Sequence, residues 1–179
     1  MGINGIAACW GLAEATLFFI VPDVWCSVVG RTNLRAGFVA CVWSLLGALA
    51  GGLIMFQWGA QDFAQVSLMV ESIPAISVAM IEHVRSELVE QGLWAVLLGP
   101  ISGTPYKLYA IQSAQAGIGV WGFLLISIPA RFLRFTLVTL FCHVVLQLLK
   151  RGFPDYSPLA ILLSGWTIFY LFYFWHMSG

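Results

Sequence analysis

Charged side chains are scarce in this sequence, and their scarcity excludes several classes of function. Only 9% of the 179 residues are Asp, Glu, Lys or Arg, 60% are hydrophobic, and the mean hydropathy is +0.91. Soluble domains carry about a quarter charged residues, so this composition predicts an integral membrane protein. Eight basic and eight acidic side chains give a formal net charge of zero. A nucleic-acid-binding protein would need a basic surface, which this balance does not supply.

Patterns typical of metal sites and enzymes are also missing. The four cysteines have no CxxC spacing and the three histidines form no ligand pair, so we expect no metal or other cofactor. The sequence has no Ser-His-Asp set and no glycine-rich phosphate loop, which argues against an enzyme. The N-terminus lacks the basic segment and cleavage site of a signal peptide. We therefore expect the first apolar segment to remain in a single membrane domain, residues 1–179.

Long apolar segments predict an all-α fold with about three full transmembrane helices. At 1.5 Å per residue, each of these segments is long enough to cross the hydrocarbon region: residues 36–58, 120–149 and 158–175. Residues 61–92 place apolar side chains three and four positions apart among acids. This spacing predicts amphipathic helices that lie on the membrane surface.

Two further apolar segments are interrupted by proline beside a charged residue. Residues 3–30 contain Glu14 and then Val21-Pro22-Asp23, and residues 93–116 contain Gly103-Thr104-Pro105-Tyr106-Lys107. Proline removes a backbone donor, and irregular backbone at membrane depth occurs where it is buried in protein or lines a polar cavity. We interpret both segments as re-entrant helical hairpins. One long helix over residues 3–30 is the alternative for the first.

The distribution of basic residues orients these segments. If both hairpins return to the side they enter, Arg31, Arg35, Lys150 and Arg151 lie on one face, and Arg85 alone joins the acids on the other. The positive-inside rule places the first face in the cytoplasm. The hairpins then have opposite orientations, and each precedes a spanning helix, which predicts an inverted repeat. We expect a protein of the bacterial inner membrane with a cytoplasmic N-terminus and an external C-terminus.

Five charged residues fall inside the apolar regions and are candidates for a substrate or proton pathway: Glu14, Asp23, Lys107, Arg131 and Arg134. A charge at this depth costs about 3 kcal/mol or more, so it normally faces a partner, a water-filled cavity or a substrate. Two acids against three cations leave one positive charge, which the phosphate of a lipid would balance. A structural ion-pair network between the hairpins and snorkelling at helix ends are the alternatives.

Uncharged residues near the two interruptions are candidates for the lining of a cavity, with ordinary interhelical hydrogen bonds as the alternative. They are Pro22, Pro105, Tyr106, Tyr109 and Gln112. Glu14 is also a candidate proton carrier. Gly47-x-x-x-Gly51 permits close helix packing, either inside the chain or in a homo-oligomer.

The two interrupted segments resemble the DedA superfamily, also called the SNARE-associated or VTT-domain family, and especially its YqaA-like branch. The matching residues are Glu14-Ala-Thr-Leu-Phe-Phe-Ile-Val-Pro22-Asp23, then Gly103-Thr104-Pro105-Tyr106-Lys107, Phe123 and Arg131-Phe-Leu-Arg134-Phe. The resemblance covers about residues 10–150. It implies opposed re-entrant hairpins and the movement of lipids, protons or ions across a membrane. It also implies that the acids of the first hairpin and the arginines after the second are functional.

These observations favour a transporter that moves a phospholipid or a polyprenyl phosphate between leaflets, as a flippase or scramblase, with proton coupling left open. A proton-coupled transporter of a small ion or solute is the first alternative. An assembly factor without transport activity is another, and it would tolerate neutralisation of the buried charges. The expected partners are membrane lipids with phosphate head groups.

Overall fold

A computed structural model describes residues 2–152 and 157–177 of the chain, and in these ranges all regular structure is helical. Within these ranges, three helices are long and apolar enough to cross a membrane, namely α3, α8 and residues Pro158–Trp175 of α9. The prediction of an all-helical membrane protein with about three spans is confirmed at this level. The helices in chain order are α1 (Ile3–Ala15), α2 (Asp23–Gly30), α3 (Leu34–Gln61), α4 (Phe63–Glu71), α5 (Val78–Gln91), α6 (Leu93–Ser102), α7 (Tyr106–Ser113), α8 (Val120–Gly152) and α9 (Pro158–Met177).

Small residues bring α1 very close to α3. A Cβ atom added to Gly47 would lie 1.9 Å from the Ala8 carbonyl oxygen, and one added to Gly51 would lie 2.8 Å from the Ala15 Cβ. Since both residue numbers rise together along the contact, α1 and α3 run in the same direction. The Gly47-x-x-x-Gly51 motif therefore serves packing inside this chain, where the absence of side chains lets two backbones approach.

The chain then turns at residues 16–22, which we call the first break, and returns along α3. Cys26 of α2 lies 3.4 Å from Ser44, measured from Sγ to Oγ. Further along α2, a Cβ atom added to Gly37 would lie 2.7 Å from the Gly30 Cα. The numbers on α3 fall as those on α2 rise, so α2 runs opposite to α1. The pair of helices therefore opens toward the end of the bundle where α3 begins, and the first break lies beside the middle of α3.

A second break, residues 103–105, separates α6 from α7. Gly103 has a φ of +92°, a left-handed conformation that glycine adopts without a steric penalty. Tyr106 packs against Gly52, and Gln115, just beyond α7, donates a 3.0 Å hydrogen bond to the Gly59 carbonyl oxygen. Because the residue numbers on both helices rise together, α7 is parallel to α3 and lies along the second half of α3. The second break therefore lies beside the same part of α3 as the end of α1.

The apolar faces of α4, α5 and the loop between them belong to the main hydrophobic core. They pack with Phe56 of α3 and with Tyr109 and Ile111 of α7. Most charged residues of this region, such as Glu82 and Glu90, are exposed, and Glu87 is half-buried. The amphipathic pattern therefore separates exposed charges from side chains that contact α3 and α7. The buried members are Val66, Val70, Ile73, Ile76, Ile81, Val84 and Leu88.

The last two long helices complete the bundle. α8 runs opposite to α3: Phe123 stacks on Phe56 with 5.4 Å between ring centroids, and the Thr139 Oγ1 lies 3.4 Å from the Cys41 Sγ. α8 remains helical through Pro129. α9 lies on the outside, where most of its described side chains are exposed or half-buried.

Candidate functional site

Glu14 and Arg131 form an ion pair inside the bundle. Glu14 lies near the end of α1, and Arg131 lies in the middle of α8, 117 positions later. The Nη1 of Arg131 donates to Oε1 of Glu14 at 3.4 Å, and its Nη2 donates to Oε2. Arg131 is 0% exposed and Glu14 is 4% exposed. The carboxylate therefore receives two parallel hydrogen bonds, an arrangement that fixes the orientation of both groups.

Aromatic rings enclose the Arg131 guanidinium. Its Cζ lies 4.7 Å from the centroid of the Tyr106 ring and 4.9 Å from that of Phe135. The hydroxyl of Tyr106 donates to the Ser127 Oγ at 2.9 Å, and the Ser127 hydroxyl donates to the Phe123 carbonyl oxygen at 2.7 Å. The rings contribute cation–π attraction in a site that excludes water. Arg131 is thus held in place by α1, α7 and α8 together.

A second ion pair lies about one turn further along α8. The Nη2 of Arg134 donates to Oδ2 of Asp23, the first residue of α2, at 2.7 Å. Asp23 is 1% exposed, whereas the Arg134 side chain is 21% exposed. Residues three apart share a helix face, so Arg131 and Arg134 hold the two arms of the first break to the same side of α8.

Lys107 is the third cation of the site, and its hydrogen-bond acceptor is neutral. Its Nζ donates to the carbonyl oxygen of Phe18, in the first break, at 2.6 Å. Lys107 is 2% exposed. Across residues 2–152 and 157–177, no carboxylate lies within ion-pair distance of this ammonium group. Among the described residues, the five charges therefore form two ion pairs and one buried cation, Lys107, without a carboxylate at ion-pair distance.

A cavity of about 700 Å³ lies beside these groups. Its wall includes Glu14, Asp23, Lys107 and Arg134, whereas Arg131 lies outside the lining, bonded to Glu14. The volume falls within the range of pockets that hold organic ligands. Most of the remaining wall is apolar or aromatic and includes Phe18, Phe19, Ile73, Ile76, Val138, Phe141, Leu146 and Leu162.

Most of the uncharged candidate residues lie elsewhere. Pro105 lines the cavity and Pro22 is the N-cap of α2. The Tyr109 hydroxyl donates to Oε2 of Glu87 at 2.6 Å, and the Gln112 Nε2 donates to the Ile81 carbonyl oxygen at 3.0 Å. With Tyr106 bonded to Ser127, these three polar side chains make interhelical hydrogen bonds.

Residues of α9 that the sequence did not single out close one side of the cavity. The Tyr170 hydroxyl accepts a 2.8 Å hydrogen bond from the Val21 amide, and the Trp166 Nε1 donates to the Ser27 Oγ at 3.0 Å. Both aromatic residues line the cavity. Their positions in an aromatic-rich span gave no signal that distinguished them from their neighbours.

Comparison with known proteins adds no identification. No protein-family model, curated protein or solved structure matches this chain. Within the described ranges, no three His, Cys, Asp or Glu side chains lie close enough together to hold a metal ion.

Proposed function

We propose that this protein moves phospholipids between the leaflets of a membrane through the cavity between the two breaks. The observation that carries the proposal is Lys107, a buried cation without a carboxylate partner among the described residues, on the wall of a largely apolar cavity. A lipid phosphate supplies the missing negative charge. The apolar walls offer a matching surface to the acyl chains.

The charge balance separates this function from a purely structural network. Glu14 with Arg131 and Asp23 with Arg134 already join α1 and α2 to α8. A further buried cation adds a desolvation penalty that a structural role would avoid. A ligand phosphate beside Lys107 removes the imbalance, and Arg134, which also lines the cavity and is partly exposed, offers further donors to the same oxygens.

The directions of the short helices support re-entrant hairpins and an inverted repeat. α1 is parallel to α3 and α2 is antiparallel to it. α7 is parallel to the second half of α3. In this proposal the first hairpin opens to the face where α3 begins and the second to the opposite face. The first break contacts the first turn of α7, just after the second break, through the Lys107–Phe18 hydrogen bond. Broken helices that meet near the midplane are the usual substrate site in transporters with this plan.

The same residues support a relationship to the DedA superfamily. The acids of the first hairpin, Glu14 and Asp23, pair with the two arginines that follow the second, Arg131 and Arg134. In the proposed orientation, Arg31, Arg35, Lys150 and Arg151 face the cytoplasm, with the N-terminus inside and the C-terminus outside. The bacterial inner membrane is the proposed location.

The cavity also suggests where the acyl chains lie. From the charged residues it extends along α8 past Phe141 and Leu146, and along α9 past Leu162. α9 lies on the outside of the bundle, so this end of the cavity is close to lipid. A phospholipid would place its head group at the charges and its chains between α8 and α9.

Lipid translocation in proteoliposomes tests this function. Phospholipids and a polyprenyl phosphate that carry a fluorophore on the chain would be followed in vesicles with wild type, Arg134→Ala, Lys107→Met and Glu14→Gln. Exposed charges supply the matched controls, Lys150→Met for the lysine and Glu90→Gln for the acid. Each variant is first shown to be folded by size-exclusion chromatography and thermal unfolding in detergent.

We expect wild type and both controls to move lipid, and the folded site variants to move it at least about tenfold more slowly, since each loses a charge-assisted hydrogen bond. Failure of wild type to move any lipid would overturn the proposal. Uptake of a small ion in the same vesicles, abolished by Glu14→Gln, would then favour a proton-coupled transporter. Full lipid translocation by the site variants would also contradict the proposed lipid transport through this cavity, because the charges would then have only a structural role.

A further inference from the structure

We infer that the cavity selects an anionic phosphodiester whose head group carries a hydroxyl group, such as a phosphatidylglycerol, over zwitterionic lipids and over anionic lipids without the hydroxyl. This inference rests on the proposed function and names its substrate class. It depends on an unpartnered oxygen atom of Asp23 and on the net charge of the site.

The first observation is the unsatisfied acceptor. Asp23 lines the cavity and is 1% exposed; its Oδ2 accepts from Arg134, but its Oδ1 has no hydrogen-bond partner in the part of the chain that the structure describes. Among the side chains that the structure describes, the other buried atoms without a partner are the Ser67 Oγ and the Arg131 Nε, and neither residue lines this cavity. A buried carboxylate oxygen without a donor is unfavourable, so we infer that a ligand whose hydroxyl group reaches Oδ1 from the cavity gains affinity.

The second observation is the charge balance, which decides what kind of donor fits. Glu14 and Asp23 against Lys107, Arg131 and Arg134 leave one positive charge, and one phosphodiester neutralises it. A zwitterionic head group brings an ammonium with its phosphate, so the site would keep its excess charge in an apolar environment. A hydroxyl group donates to the Asp23 Oδ1 and adds no charge. A monoanionic lipid with a hydroxyl satisfies both requirements.

Protonation of Asp23 does not replace such a ligand. A proton on Oδ1 would turn an acceptor without a donor into a donor without an acceptor, and it would weaken the charge-assisted bond to Arg134. The wall beyond the charges is apolar and includes Phe141 and Leu162. Because this surface suits acyl chains, the ligand that carries the phosphate and the hydroxyl group is a lipid and not a soluble molecule.

Phosphatidylglycerol and phosphatidylpropanol are the decisive pair of lipids. They have the same net charge, chain length and head-group carbon number, and they differ only in the two hydroxyl groups. Wild-type proteoliposomes would be tested with each as a chain-labelled probe, alongside phosphatidylethanolamine. We expect phosphatidylglycerol to move about tenfold faster than phosphatidylpropanol, the effect of one hydrogen bond to a charged group, and faster than the zwitterion.

Paired substitutions locate the preference without leaving a buried charge unpaired. Asp23→Leu with Arg134→Met removes the unsatisfied acceptor together with its partner, and Glu14→Leu with Arg131→Met removes the other ion pair as a matched control. Replacement of a whole buried pair by apolar residues of similar volume is often tolerated by the fold. The first pair should equalise the rates of the two anionic lipids. The control pair should keep their ratio, whatever its effect on the absolute rates.

The outcomes separate this inference from the proposed function. Equal movement of the two anionic lipids by wild type would overturn the inference and leave lipid transport standing, with the Asp23 oxygen assigned to solvent or packing. Faster movement of phosphatidylethanolamine would also overturn it. Inhibition by soluble glycerol phosphate at the concentration of the lipid would assign the site to a soluble molecule. No movement of any lipid would overturn both proposals.

Discussion

Lys107, in the first turn of α7, donates a 2.6 Å hydrogen bond to the carbonyl oxygen of Phe18, 89 positions earlier in the first break. The first break leaves this carbonyl outside a helix, and α7 supplies the cation that satisfies it. The contact therefore ties the first break to the helix that follows the second break. The same lysine lies on the wall of the cavity.

Lys107→Met should separate the activity of the site from its stability. The substitution removes a hydrogen bond, but it also removes the penalty for burying an ammonium group, so the free energy of unfolding should change by no more than about 1 kcal/mol. Lipid translocation should fall at least about tenfold. Thermal unfolding and proteoliposome assays measure the two quantities. A variant that unfolds while Lys150→Met remains stable would instead assign Lys107 a structural role.

Glu14 and Arg131 should behave as a unit. Removal of either partner leaves the other charge buried and should lower the free energy of unfolding by about 3–5 kcal/mol, whereas Glu14→Leu combined with Arg131→Met should cost much less than either change alone. Unfolding by denaturant in detergent would be measured for wild type, for each single variant and for the double variant. Additive effects of the two substitutions would contradict the pairing.

Gly47→Ala should loosen α1. The new Cβ would lie 1.9 Å from the Ala8 carbonyl oxygen, a backbone atom that moves only if the helix moves. We expect a loss of about 1–3 kcal/mol in the free energy of unfolding, the usual result of overpacking. Gly165→Ala is the matched control, because a Cβ there meets nothing within 4 Å. Equal stability of the two variants would mean that α1 and α3 are not in close contact.

Tyr170→Phe should weaken the attachment of α9 to the first break. It removes the acceptor of the Val21 amide at the cost of about 1 kcal/mol, and it keeps the ring. Cys142 lines the cavity and reports on access to it. Modification of Cys142 by a membrane-permeable maleimide, followed by mass spectrometry, should be faster in this variant. Thr167→Val, which loses a bond inside α9, should label like wild type.

The helical membrane fold could be predicted from the apolar segments, and the charged residues stood out because so few charges interrupt them. The partners of these charges could not be predicted. Glu14 pairs with Arg131 and Asp23 with Arg134 because of the rotation of α8 and the angle between α1 and α2. A one-residue rotation of α8 would change both pairs, and sequence spacing does not determine it.

Residues 61–92 illustrate a second limit. Their periodicity predicted helices with an apolar face, but a periodic pattern does not say what covers that face. In the structure Val70 and Val84 lie in the core with Tyr109 and Ile111, and Ile73 also lines the cavity. Tyr106 is similar: its position beside Lys107 was visible in the sequence, whereas its contact with the Arg131 guanidinium depends on how α7 and α8 are each packed against α3.

The distance in sequence between Glu14 and Arg131 also affects how the protein is made. The two residues are 117 positions apart, and at about 5–20 residues per second the ribosome takes roughly 6 to 23 seconds to reach the second. During that interval the carboxylate has no guanidinium partner, and a charged acid is poorly tolerated in the hydrocarbon region. If Glu14 lies at membrane depth as proposed, we expect residues 3–30 to reach their final position only after α8 has been synthesised, so that the N-terminal segment completes its insertion late.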